Sequence, residues 1–243
     1  MAMTADGKIA TANRALTSFG SRKDHDHLLE VRATADAVLC GAATAGGDNI
    51  TMGPGPLRFR IKRKQRGLAE FNLRVIASGS GRLDPQSSVF EHRFSPIIVL
   101  TTRVAPPDRL KRLHAVADEV ATFGVNHLNL TTALKWLRSK WGVKRLICEG
   151  GGKLNDAMFR ASLVDELHLT LCPKIFGGAN APTIADGLGV GRLSRASQFR
   201  LKSHRIEHDE MFLVYEAVRS SSSPSRLSTQ RASNHKRSAR RLK

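Results

Sequence analysis

A chain of 243 residues with 41% apolar content is long enough for one domain plus a tail and apolar enough to bury a core. No run of about 18 apolar residues is present to span a membrane, and the opening Met1-Ala2-Met3-Thr4-Ala5-Asp6-Gly7-Lys8 lacks the charged-then-apolar order of a signal peptide. The net charge is +18, but residues 220–243 hold seven Lys/Arg and no Asp/Glu, which leaves +11 on residues 1–219.

The serine-rich basic stretch 220–243 has little to bury and is expected to be a disordered tail on a domain spanning 1–219. Nucleic-acid contact is one reading of it, and a solvated extension that carries no function is the favoured one. Cys40, Cys148 and Cys172 are odd in number and each sits in an apolar stretch, which suits free buried thiols in the reducing cytoplasm.

In chain order, strand and helix signals alternate. Residues 22–33 carry Leu28, Leu29 and Val31 among polar residues behind Ser21, a good N-cap. Residues 35–41 read as a strand, 58–66 as a basic, mobile surface loop, 74–78 and 96–101 as strands, and 107–116 as a helix opened by prolines. A short strand over 119–123 precedes a helix over 131–141 that Gly142 closes. A strand over 145–149 then enters three glycines and a helix over 153–163. Residues 166–172 alternate strictly, and 211–217 pairs with 199–206. Such alternation predicts an α/β fold, a mainly parallel sheet with helices on both faces and antiparallel strands at its C-terminal edge.

One stretch organises the chemistry: Arg145-Leu146-Ile147-Cys148-Glu149-Gly150-Gly151-Gly152-Lys153-Leu154. A strand running through bare glycines into a helix start lets backbone N–H groups meet a phosphate, and Glu149 lies where open α/β sheets bind ligands. A tight turn that binds nothing has the same sequence. Beside it stand the turn Thr4-Ala5-Asp6-Gly7-Lys8-Ile9-Ala10, Arg32, Gly41-Ala42-Ala43-Thr44 and Gly47-Asp48-Asn49, each common alone. His208-Asp209-Glu210 has His-x-Glu spacing without the paired cysteines of a zinc deaminase, so it reads as a surface turn. The remaining histidines form no pair at ligand spacing, and no metal is expected.

Taken together, Thr-x-Asp-Gly-Lys-Ile-Ala (4–10), Arg-Ala-x-Ala-Asp-Ala (32–37), Gly-x-x-Thr (41–44), Asp-Asn (48–49), Glu-Gly-Gly (149–151), Val-Asp-Glu-Leu (164–167) and Pro-Lys-x-x-Gly-Gly (173–178) resemble the pyrimidine reductase family of riboflavin biosynthesis. The resemblance covers about residues 2–217. It implies a dihydrofolate-reductase-like fold, a homodimer, NADPH, and a ribosylaminopyrimidine 5′-phosphate whose ribosyl group is reduced to ribityl. A hydride would pass from the nicotinamide to C1′ of the opened sugar in its imine form, which requires the two carbons to be held about 3–3.5 Å apart.

Carried over by position, the resemblance makes Lys8 and Glu149 the pair that grips the pyrimidine, with Asp6 beside them. Arg32 matches the residue that holds the substrate's phosphate, and Met52 falls near the substrate. Ala2, Thr44, Asp48 and Ser78 match cofactor contacts, and Gly151, Gly152, Lys153, Leu154, Asn155 and Asp156 match the cradle for its phosphates. Arg58 is the nearest candidate for a second phosphate-binding arginine. Members of the family carry apolar residues ahead of the Thr-x-Asp-Gly motif where Met1 stands here, so either the first strand is unusually short or the true start lies upstream of Met1. The rivals are a related reductase acting on another pterin or pyrimidine, which retention of both Lys8 and Glu149 argues against, and a basic nucleic-acid-binding protein, which leaves the glycines unexplained. The residues leave open whether the pyrimidine is deaminated or diamino, and whether NADPH is preferred to NADH.

Overall fold

The computed structural model describes residues 1–14, 19–47 and 49–218. Asp48 and the tail 220–243 therefore lie outside the described residues.

Five parallel strands form the main sheet in the order β5-β4-β3-β2-β6, with β2 Ala37–Gly41, β3 Leu73–Ala77, β4 Ile97–Thr101, β5 Glu119–Thr122 and β6 Leu146–Cys148. Successive residues of β2, β3 and β4 serve opposite faces. Val38, Cys40, Ile76, Ile97 and Val99 pack into one core, while Ala37, Leu39, Val75, Ile98 and Leu100 pack into the other. Both faces are covered, so these strands read as continuous apolar runs rather than alternating ones.

The second sheet runs β1-β7-β9-β8, from β1 Ala2–Thr4, β7 Glu166–Cys172, β8 Phe199–Glu207 and β9 Glu210–Ala217. Strand β1 is parallel to β7, whereas β9 is antiparallel to both β7 and β8, with a register shift between Leu201 and Ser203. Ala2, Met3 and Thr4 of β1 pair with Thr170, Leu171 and Cys172.

Capping fixes the helix ends. The Ser21 side chain accepts from Lys23 N and Asp24 N to start α1 Arg22–Arg32. Ser21 is itself held by Glu210, which accepts from its N–H at 2.8 Å and its hydroxyl at 2.5 Å and so ties α1 to β9. Thus His208 and Asp209 form the β8–β9 turn, and Glu210 is a buried tether rather than a surface residue. After α2 Ala42–Ala45, α3 Leu57–Gln65 and α4 Ser88–Glu91, Pro107 opens α5 Pro107–Val116. Helix α6 Leu130–Trp141 ends on Gly142 in the left-handed region, and α7 Gly152–Arg160 follows β6.

Helix α3 corrects the expectation of a mobile basic loop over 58–66. Phe59 and Arg63, four apart, share its inner face and are both buried. The Arg63 guanidinium donates to the carbonyls of Ala69, Arg32 and Ala35. Burial pulls this guanidinium below its ordinary range. An arginine that satisfies three carbonyls has taken a core position, so the charge pattern hid a helix with an inward face.

Packing of α1 on the second sheet places the His27 ring 5.4 Å from Phe212, edge to face. Burial, reinforced by Arg205, lowers His27 from 6.5 to about 4. Between those values the unfolded chain takes up a proton that the folded chain refuses. Stability should therefore fall as the pH drops from 6.5 to about 4, by about 1–2 kcal/mol once partial exposure is discounted. Urea unfolding of His27→Gln should show a flatter dependence across that window, and an unchanged slope would assign the loss to other groups.

Candidate active site

Strands β6 and β1 are edge strands of the two sheets, and the side chain of Met1, just before β1, meets the start of α7 after β6, where Asn155 Nδ2 donates to Met1 Sδ at 3.5 Å. The pairing of Ala2 with Thr170 runs through Met1 O, which accepts from Thr170 N at 2.9 Å. In that parallel pattern the peptide groups of Ala2 itself point to the open edge. In the main sheet, Glu149 N donates to Leu39 O at 2.8 Å and Gly41 N donates to Gly150 O at 2.7 Å, which locks the glycine turn to the end of β2.

At the turn, Gly150 has a φ of 88° and the Gly150–Gly151 peptide is cis. Leu154 N and Asn155 N both donate to Gly151 O. The N–H groups of Gly151, Gly152 and Lys153 have no backbone partner among the described residues, as expected for a helix start. The segment Thr183–Asp186 closes over this turn. Asp186 N donates to Gly152 O at 3.0 Å, and Asn155 Nδ2 donates to Ile184 O at 2.8 Å. A Cβ on Gly152 would lie 2.6 Å from Thr183 O, and one on Gly187 only 1.7 Å from the Asp156 carboxylate. Both positions need glycine because the 183–187 segment and the two carboxylates pack against them, and what suits a phosphate here is the set of unpartnered N–H groups at the helix start.

The expected phosphate cradle is thus narrower than the sequence implied. Gly151, Gly152 and Lys153 offer backbone donors. Leu154 packs against the core, Asn155 holds the 183–186 segment, and Asp156 is buried in an ion pair with Arg160 at 2.7 Å. Thr44 lies beside the turn, its hydroxyl 3.5 Å from where a Gly151 Cβ would stand. Ser78 is buried at the end of β3. Met52 is corrected. Its side chain is 1% exposed in the core beside Cys40, so it lines no open surface.

The two residues expected to grip a pyrimidine have different surroundings. Glu149 receives the guanidinium of Arg32 through both oxygens, at 2.5 and 2.6 Å, while Arg32 Nη1 donates to Gly53 O at 2.7 Å. Both side chains are nearly sealed, at 13% and 12% exposed. Burial pulls the Arg32 guanidinium down, but the charge and hydrogen bonds of Glu149 outweigh it and hold Arg32 above its ordinary value. Arg32, which the motif assigned to a phosphate, is therefore committed to the carboxylate. Arg58 pairs with Asp26 at an exposed site and is likewise committed elsewhere.

Lys8 ends a turn in which its N–H donates to the Thr4 hydroxyl at 2.9 Å and its carbonyl accepts from Thr4 N at 2.8 Å. Its ammonium donates to Ala181 O at 3.2 Å. Asp6 accepts from the Thr4 hydroxyl at 2.5 Å and from Gly177 N at 2.8 Å, which pins the 173–178 loop. The Thr4 hydroxyl, with those N–H groups, holds the Asp6 carboxyl below the usual range. Asp6 thus acts on Lys8 through the turn. Thr183, Asp186 and Gly187 were missed because they lie about thirty residues from the glycines they cover and carry no local motif.

A second opening of about 1080 Å³ lies at the C-terminal ends of β2 and β3, between Ala43, Gly46, Arg82, Asp84, Arg109 and Arg112. Ligands of open α/β sheets lodge outside such strand ends.

This architecture is that of the dihydrofolate-reductase-like pyrimidine reductases. A pyrimidine reductase-like protein from Corynebacterium diphtheriae superposes with a TM-score of 0.74 at 22% identity, over 90% of each chain. The deaminase/reductase of Thermotoga maritima superposes with a TM-score of 0.66 at 19% identity, over 89% of this chain and 55% of that one. The chain belongs to the RibD C-terminal domain family, whose model matches residues 1–212. It is 30% identical over 214 residues to the 2,5-diamino-6-ribosylamino-4(3H)-pyrimidinone 5′-phosphate reductase of Methanothermobacter thermautotrophicus, covering 88% of this chain and 94% of that protein. The enzyme of the same name from Archaeoglobus fulgidus is 30% identical over 187 residues, covering 77% and 84%.

Proposed function

We propose that the chain reduces the ribosyl group of a ribosylaminopyrimidine 5′-phosphate to ribityl in riboflavin biosynthesis, with NADPH as donor. The names of the relatives favour the 2,5-diamino form of the substrate. The observation that carries the reading is the run of unpartnered N–H groups at the start of α7, set beside Glu149 at the end of β6.

NADPH, when bound, supplies the hydride. The chain's own residues supply binding and orientation. The N–H groups of Gly151, Gly152 and Lys153 would take its phosphates, and the free peptide edge of Ala2, Thr44, Ser78 and Asp48 would line the rest of its length. Glu149 would accept the N–H groups of the pyrimidine while Arg32 fixes the carboxylate, and Lys8 would donate to a pyrimidine oxygen. Preference for NADPH is supported by Arg82 and Arg112, which form no ion pair among the described residues and stand past Ser78 in the second opening. Replacing both with alanine should raise KM for NADPH at least about tenfold and leave that for NADH unchanged. Equal losses with both cofactors would deny these arginines a 2′-phosphate role.

Homodimer formation is supported by β8, an exposed edge strand whose Leu201 and Ile206 are 51% and 64% exposed on the face shared with Leu213. A cytoplasmic home suits the three free thiols. The reading is tested with purified protein by turnover of Glu149→Gln and Lys8→Ala. Each should lose at least about tenfold in rate, roughly 1.4 kcal/mol, and Glu149→Gln should also lose stability, because it leaves the sealed Arg32 without its counter-charge.

A further inference from the structure

A smaller cleft of about 310 Å³, distinct from the 1080 Å³ opening, lies between α1, the end of α3, β7 and β8. Its walls carry Lys62, Arg66, Arg145 and Arg205, and the only carboxylate lining it is Glu30. These cations come from three places in the chain, the end of α3 (Lys62 and its C-cap Arg66), the entry to β6 (Arg145) and β8 (Arg205), so the fold brings together charges that the sequence keeps apart. Nearby carboxylates pair with three of the four, and Arg66 alone has none among the described residues. Glu30 pairs with Lys62 at 3.1 Å, and Glu207 beyond the wall pairs with Arg205 at 2.7 Å. Glu166 is shared among Arg145 at 3.5 Å, Lys202 and His168. Arg66 has no carboxylate and donates only to Ala33 O at 3.4 Å.

His27 and His168 complete the wall, with rings 5.9 Å apart. Nδ1 of His168 is buried without a hydrogen-bond partner. Burial lowers both rings below their ordinary value, reinforced at His27 by Arg205 and opposed at His168 by Glu166. Arg205 is stacked 4.1 Å from the Phe212 ring centre, which fixes its guanidinium at the mouth. The residue alternation of β8 sends Arg205 to the face opposite Leu201 and Ile206, so the cleft stays open if those residues are covered.

We propose that this cleft is a binding site for a phosphomonoester, separate from the reductase site and independent of the reading of that site. Several forked donors converging on a small opening suit a compact dianion, which offers three acceptor oxygens at once. The volume is at the lower end for small-molecule sites and accommodates a group of sugar-phosphate size.

The test is a titration of the full chain with inorganic phosphate and with ribose 5-phosphate, at constant ionic strength, read on the imidazole NMR signals of His27 and His168. Saturable shifts of these two signals with either ligand are expected. Tighter saturation by ribose 5-phosphate would identify the ester as the ligand, and equal saturation would identify free phosphate. The Arg145→Gln variant, at an exposed position, should weaken the saturation at least tenfold. The Lys62→Gln variant should do the same if the first fails to fold. Linear shifts matched by chloride would overturn the site, as would saturation by a single-stranded oligonucleotide alone.

Discussion

Replacing Arg32 with alanine is expected to cost at least about tenfold in kcat and to destabilise the fold by about 3–5 kcal/mol, because it leaves the nearly sealed Glu149 without its partner. Arg32→Lys should recover the charge but not the two-pronged contact, and so fall between the two. The effect separates two roles for this residue. If Arg32 positions Glu149, the rate penalty persists with a substrate lacking the 5′-phosphate. If Arg32 holds that phosphate instead, the penalty vanishes with the truncated substrate and appears in KM with the intact one. The geometry favours the first, since both guanidinium faces in use are occupied by Glu149 and Gly53 O.

Gly152→Ala is the second large expectation. The added methyl would stand 2.6 Å from Thr183 O and 2.9 Å from the Asp186 carboxylate, and neither the backbone nor a carboxylate held by Thr183 N can give way without cost. The 183–186 segment must lift, losing the Asp186 N to Gly152 O bond. Overpacking of this kind costs about 1–3 kcal/mol. Because the same glycine offers one of the free N–H groups, affinity for NADPH should drop at least about tenfold, which is about 1.4 kcal/mol. Fluorescence titration with NADPH, alongside urea unfolding, checks both. Full affinity with reduced stability would remove the glycine turn from the cofactor site.

The parts of the fold that were legible share a physical simplicity. The strands of the main sheet are buried on both faces and read as apolar runs, and Ser21, Pro107 and Gly142 marked helix ends by local chemistry alone. Helix α3 was hidden because its inward face is held by Arg63, whose three carbonyl partners come from residues 32, 35 and 69. Within the site, the residues carrying a motif were legible, but their partners were not. Nothing near Glu149 in sequence says that its oxygens meet a guanidinium 117 residues away. Nor does a motif announce that residues 183–187 cover the glycines. Met52, placed near the substrate by the resemblance, is packed in the core beside Cys40, where tertiary contacts that no motif encodes hold it.

The most direct measurement is oxidation of NADPH by the purified chain, followed by loss of reduced-nicotinamide absorbance, with the diamino and the deaminated ribosylaminopyrimidine 5′-phosphates supplied in turn. Turnover is predicted with the diamino compound, giving a ribityl product, and Glu149→Gln should remove most of it. No oxidation of NADPH with either compound, by a folded chain that still binds NADPH, would contradict the proposed reaction.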